Sequence, residues 1–275
     1  MEAFEGKGGE RPDMNGYETL EVDVRGIKVT IRRKGQGYSL LYLHGAFGYE
    51  GWPRFLDMLS ESFTVFSPIH PGFLEAEGIE KIRGLYDLVL FHLDLIDALE
   101  LKSPSILGHY FGAMVAAELA SVCSHNIGNL VLANPAGFWI DDDPGLDYFI
   151  VPDGEIRRHL LADPDNPDNT CIVPDTEDEN EQSQRALDKV RALSTVAKFL
   201  WPVPDKGLSR RIGRVRSRTL VITGDKDTIV PVAHGNKAAS IIPGAKHLTL
   251  SGVGHLAMLE KPEEFVTAIE DFLSS

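Results

Sequence analysis

Polar and apolar positions alternate along Thr19-Leu20-Glu21-Val22-Asp23-Val24 and along Ile27-Lys28-Val29-Thr30-Ile31. That is the period of a strand with one wet face, and the two runs read as a hairpin. Six further runs are apolar almost without a break: 39–43, 63–66, 105–107, 130–133, 219–223 and 246–250. Strands covered on both faces have that composition, and parallel sheets are covered on both faces. Between the runs the period becomes helical. Leu85, Leu88, Val89, His92, Leu95, Ile96 and Leu99 share one stripe, and Met114, Val115, Leu119 and Val122 begin another. A closing helix opens on Pro262 and carries Phe265, Ile269 and Phe272. The pattern predicts an α/β fold, a mostly parallel eight-stranded sheet with helices on both faces.

The alternation fails once, over 139–213. Strand runs are missing there. Prolines, two acidic clusters (Asp141-Asp142-Asp143 and Asp175-Thr176-Glu177-Asp178-Glu179) and a helical stretch from Gln182 to Leu200 take their place. The sheet pattern resumes at Arg218, so the segment reads as a helical lid inserted after the sixth strand. The core is then 17–138 with 214–275. The acidic runs read as solvated loop, and no metal site is expected. Residues 1–16 are polar and glycine-rich, lack a signal-peptide apolar region and read as a disordered arm.

Composition narrows the partners. The 275 residues carry a net charge of −14, from 41 acidic against 27 basic side chains. That field repels nucleic acid and anionic membrane surfaces and favours a small, neutral or weakly charged substrate. No apolar run approaches the roughly 18 residues of a membrane helix. The two cysteines, Cys123 and Cys171, are far apart and lack metal-ligand spacing, which predicts a reduced, cytoplasmic setting. Cys123 is expected in the core and Cys171 in the lid.

The chemistry gathers at strand ends. Leu41-Tyr42-Leu43 runs into His44-Gly45-Ala46-Phe47-Gly48, a turn whose glycines let backbone N–H groups converge as an oxyanion hole requires. Gly108-His109-Tyr110-Phe111-Gly112 lies between a strand and a helix. It has the layout of a G-x-S-x-G nucleophile elbow with tyrosine where the serine belongs. Val221-Ile222-Thr223-Gly224-Asp225-Lys226-Asp227 places an acid past a late strand, and Gly252-Val253-Gly254-His255 places a histidine past the last one. A carboxylate accepting from imidazole Nδ1–H fixes the tautomer and leaves Nε2 as a base.

These stretches, with Gly254-His255-Leu256-Ala257-Met258-Leu259-Glu260-Lys261-Pro262-Glu263, make the chain resemble the α/β-hydrolase superfamily from about Tyr17 to Phe272. The resemblance implies Ala46 and Phe111 as oxyanion donors, Asp227 as the acid and His255 as the base, with no cofactor. Some members carry the acid after the sixth strand. Asn134 stands there, which favours Asp227. The nucleophile position falls on Tyr110.

A tyrosine carries its oxygen roughly 4 Å farther from the backbone than a serine does. A carbonyl attacked there would lie away from the Ala46 and Phe111 N–H groups, so a direct exchange of Ser for Tyr in one mechanism is implausible. A phenol lowered by the His-Asp pair could act as acid, proton shuttle, oxyanion donor or atypical nucleophile, or the ring could plug a dead site. Two functions follow. One is an enzyme acting on a small apolar carbonyl compound (ester, lactone or diketone). The other is a catalytically silent ligand-binding or sensing relative. His109 is expected to point into the strand–helix packing, and His70 to be structural. His44, Phe47, Phe138, Trp139 and Trp201 are candidate pocket residues, and Phe149 and Phe199 add to the aromatic lid. The same aromatics could instead bury the lid on the core.

Overall fold

Alternate residues of the central strands divide between two cores, as the two-residue period of a strand requires. Leu41, Leu43, Ile106, Leu130 and Leu132 enter one cluster; Leu40, Tyr42, Leu107, Val131 and Ala133 enter the other. The computed structural model describes residues 11–12, 16–46, 48, 51–74, 76–166, 178–203 and 205–274. Its strands are β1 (Arg11–Pro12), β2 (Glu18–Val24), β3 (Ile27–Lys34), β4 (Ser39–Leu43), β5 (Thr64–Pro68), β6 (Ser105–His109), β7 (Leu130–Ala133), β8 (Thr219–Gly224) and β9 (Lys246–Leu250). They form one sheet in the order β1-β2-β3-β5-β4-β6-β7-β8-β9. The eight expected strands are present, within about two residues of the expected bounds except at the end of β3, and β1 is a two-residue addition at the edge. β1–β2, β2–β3 and β3–β5 are antiparallel, and every pair from β5–β4 to β8–β9 is parallel.

The helices are α1 (Arg54–Ser62), α2 (Leu85–Ala98), α3 (Phe111–Val122), α4 (Asp153–Leu160), α5 (Glu179–Leu200), α6 (Leu208–Arg211), α7 (Val232–Ile241), α8 (Ala257–Glu260) and α9 (Pro262–Ser274). The stripes of α2 and α3 join the first core, and Phe55, Leu56 and Leu59 of α1 with Phe265, Ile269 and Phe272 of α9 join the second. The stripe on α3 ends before Val122, which is 43% exposed, and Cys123 beyond it is only partly buried. No helix among the described residues is long and apolar enough to cross a membrane.

Between β7 and β8 the chain forms a 3₁₀ turn (Tyr148–Ile150), α4, α5 and α6. Asp178, the fourth residue of the second acidic cluster, caps α5 by accepting from the N–H groups of Asn180 and Glu181. The rest of that cluster that precedes it, Cys171, and residues 1–10 and 13–15 of the N-terminal arm lie outside the described residues. Arg211 of α6 donates two hydrogen bonds, 2.7 and 2.5 Å, to the buried Glu118 of α3 and ties the insertion to the helix behind the elbow.

Candidate active site

Close packing fixes the elbow. Gly112 passes so near the end of β4 that a Cβ there would run into the Leu43 carbonyl, and a Cβ on Gly108 would lie 2.5 Å from Ala113 Cα. With both glycines in place the chain turns from β6 into α3 within one residue. That residue, Tyr110, takes φ +47°, ψ −104°, a conformation that side-chain-bearing residues seldom adopt. Its carbonyl accepts from Met114 N–H at 3.0 Å and Ala136 N–H at 3.2 Å, so the turn is held from two sides.

The acid and the histidine come together. His255 Nδ1 lies 2.9 Å from Asp227 Oδ2, with both side chains buried. The other oxygen, Asp227 Oδ1, accepts from Ile229 N–H at 2.8 Å and Val230 N–H at 3.0 Å. A carboxylate facing Nδ1 requires the proton there, which leaves Nε2 as the basic nitrogen. Nε2 is not taken up by any hydrogen bond among the described residues. Asp225 instead accepts from Gly252 N–H and Ser251 Oγ at the surface and plays no part in the pair. The N–H groups of Ala46 and Phe111 likewise meet no acceptor among the described residues.

Tyr110 is 3% exposed, its ring edge-on to His255 with centroids 4.9 Å apart, and it meets Tyr148 of the insertion at 5.4 Å. Burial pushes its phenol well above the ordinary tyrosine range, and the charges of Asp227 and Asp147 push the same way, against a weaker pull from the Tyr148 hydroxyl. The expectation of a phenol lowered by the His-Asp pair is therefore reversed. Low dielectric and nearby carboxylates both favour the protonated phenol.

The remaining histidines divide. His109 Nε2 donates to the His255 carbonyl at 3.0 Å, so it holds the backbone of the histidine loop. His44, expected in the pocket, is buried in a cluster with His70 and His92. His44 Nε2 accepts from His70 N–H at 3.2 Å, and His70 Nδ1 and His92 Nε2 are 3.1 Å apart. Burial first, and neighbouring histidines after it, keep His70 neutral; burial alone dominates at His44 and His92, each lowered to about 4. Of the other pocket candidates, Phe138 is buried in the core and Phe47 lies outside the described residues. Trp139 is partly exposed and its indole N–H donates to Asp141. Trp201 is 53% exposed, because it follows the last turn of α5 instead of packing under it as Phe199 does. Two clefts of about 790 and 1120 Å³ lie along residues 72–81 and α5, and neither is lined by Tyr110, Asp227 or His255.

Sequence reasoning missed three contributors. Tyr148 contacts Tyr110, and the Leu160 carbonyl at the end of α4 accepts from His255 N–H and Leu256 N–H at 3.0 and 3.2 Å. Asn134 donates from Nδ2 to Asp227 Oδ2 at 2.5 Å. Only Asn134 left a signal, its place immediately after a central parallel strand.

The sequence profile of the Alpha/beta hydrolase family matches residues 40–268, most of the chain. The chain belongs to that family. It is similar to a 2-hydroxy-6-oxo-6-phenylhexa-2,4-dienoate hydrolase of Comamonas testosteroni, 26% identical over 92% of this chain and 93% of the relative. It is also 26% identical, over 96% of its length and 71% of the relative's, to the dihydrolipoyllysine-residue acetyltransferase component of an acetoin cleaving system from Cupriavidus necator. Among solved structures, a 2-hydroxy-6-oxo-6-phenylhexa-2,4-dienoate hydrolase from Rhodococcus sp. strain RHA1 superposes with a TM-score of 0.77 at 19% identity, covering 94% of this chain and all of that one. Hydrolases recur among the named relatives, which is consistent with a hydrolase-type enzyme.

Proposed function

We propose that the chain hydrolyses a small, largely apolar carbonyl compound, an ester, lactone or diketone, by general-base catalysis with no covalent intermediate. The observation that carries the reading is the buried His255–Asp227 pair at 2.9 Å, with Nε2 unengaged. In this reading His255 Nε2 takes a proton from water while the water oxygen attacks the carbonyl carbon. The N–H groups of Ala46 and Phe111 receive the developing oxyanion. The tetrahedral intermediate collapses by breaking the bond to the leaving oxygen or carbon, which takes the proton from imidazolium. Tyr110, held neutral, donates a hydrogen bond and does not attack. The insertion acts as a lid, and Tyr148 and Leu160 are points of contact with Tyr110 and His255. The relatives' names, hydrolases of an oxo-dienoate and of a semialdehyde, support a ketone substrate as readily as an ester.

The test is turnover of short-chain p-nitrophenyl esters and of a simple β-diketone, followed by mass spectrometry of acid-quenched protein. Turnover without an acyl adduct on Tyr110 is expected. An adduct there would replace the base mechanism with a nucleophilic one.

A second reading, a silent binding protein plugged by Tyr110, is favoured by one observation, the burial of that ring against His255. It predicts ligand-dependent thermal stabilisation with no product, scaling as RT ln(1 + [L]/Kd).

A further inference from the structure

Asn134 stands at the C-terminal end of β7 and is fully buried. Its backbone N–H donates to the Ile222 carbonyl at 2.8 Å and its φ is +46°, a left-handed conformation that asparagine tolerates better than most residues. The side-chain orientation is dictated by Asp227: rotating the amide would set its oxygen against a carboxylate oxygen. So oriented, Nδ2 reaches Asp227 Oδ2 at 2.5 Å, while Asn134 Oδ1 is buried without a hydrogen-bond partner among the described residues. An uncompensated buried acceptor is unfavourable, and such a group persists where its other end has a use.

We propose that Asn134 is a positioning residue for the base. Its amide N–H shares Asp227 Oδ2 with His255 Nδ1–H, fixing the carboxylate plane and moderating the pull of that oxygen on the imidazole. The geometry is that of a divided acceptor. Oδ1 is saturated by two backbone N–H groups, so among the described residues the adjustable donors on the carboxylate are the Asn134 amide and the imidazole, and both use Oδ2. Removing the amide concentrates the negative charge of Oδ2 on the imidazole N–H. The proposal rests on the reading of His255 as base, and it is tested without turnover.

The probe is the proton NMR resonance of His255 Nδ1–H, a hydrogen sheltered from exchange by burial, followed in the parent, Asn134→Ala and Asn134→Asp. In Asn134→Ala the resonance moves downfield because Oδ2 has lost its competing donor. In Asn134→Asp two carboxylates face each other and share one proton, which again donates to Oδ2, so the resonance stays near its parental place. Raising the pH strips that proton and the resonance then moves downfield. Tyr110 and Glu260, the other titratable groups whose fields couple to Asp227, are present in both proteins and cannot produce the difference. Should Asn134→Ala fail to fold, the pH dependence of Asn134→Asp carries the test. Given a substrate, Asn134→Ala also lowers kcat about tenfold at unchanged KM, the low end of the effect seen for hydrogen-bond partners of metal-bound histidines. A resonance unmoved in folded Asn134→Ala, or independent of pH in Asn134→Asp, overturns the proposal. A moved resonance in a protein without turnover supports it and counts against the hydrolytic reading alone.

Discussion

Lowering the pH should destabilise this protein through its core histidines. His44 and His92 are buried, neutral and lowered to about 4, chiefly by desolvation. In the unfolded chain each takes up a proton near 6.5. Folded-state values depressed below the unfolded one mean that the unfolded state binds more protons across the window from 6.5 to about 4. Stability is therefore intact above that window and falls as the pH descends through it. At pH 5 the loss is about 2 kcal/mol for each histidine and about 4 kcal/mol for the two together. His70 and His109, lowered in the same direction by burial and by neighbouring histidines, add to it. A domain is held by only about 5–15 kcal/mol, so the effect is large. Urea unfolding followed by circular dichroism at pH 7.5, 6.5, 5.5 and 5.0 reads it directly. The transition midpoint should hold between pH 7.5 and 6.5 far better than between 6.5 and 5.0. In His92→Gln, which keeps a polar group for the Leu88 carbonyl, the drop should shrink. An unfolding free energy at pH 5.0 within about 1 kcal/mol of that at pH 7.5 would refute the reasoning.

Other outcomes follow from the same contacts. Tyr110→Ser puts a short nucleophile on the elbow beside the Ala46 and Phe111 N–H groups, and ester turnover should rise at least about 100-fold with a burst of released phenol; its melting temperature should fall, since a buried ring is lost at a cost of about 3 kcal/mol. Gly112→Ala forces a methyl into the Leu43 carbonyl and should yield insoluble protein or a sharply lowered melting temperature. Arg211→Ala leaves Glu118 buried without its bidentate partner and should cost about 2 kcal/mol in urea unfolding, less than a fully enclosed pair because Arg211 is a third exposed.

Much of this architecture is legible in the chain because the physics is local. Apolar runs such as 40–43 suit strands buried on both faces, and the glycines at 108 and 112 mark the sharp turn from strand to helix. The order acid-then-histidine likewise locates Asp227 and His255, since strand ends in a parallel sheet gather on one edge. What the sequence hides is set by distant packing. The protonation of Tyr110 depends on its burial under Tyr148, the neutrality of the His44, His70 and His92 cluster on three elements meeting, and the exposure of Trp201 on where α5 stops. Asn134 had the right address but not a recognisable charge, so its bond to Asp227 emerges only when β7 and the loop after β8 are seen side by side.

The most direct test of the account compares p-nitrophenyl ester hydrolysis by the parent protein with that of His255→Ala, at pH 7.5 where the core histidines are neutral. The account predicts measurable turnover in the parent and a loss of at least about 100-fold in the variant, the scale of a positioned general base. Equal rates in the two proteins, or none in either, would contradict it.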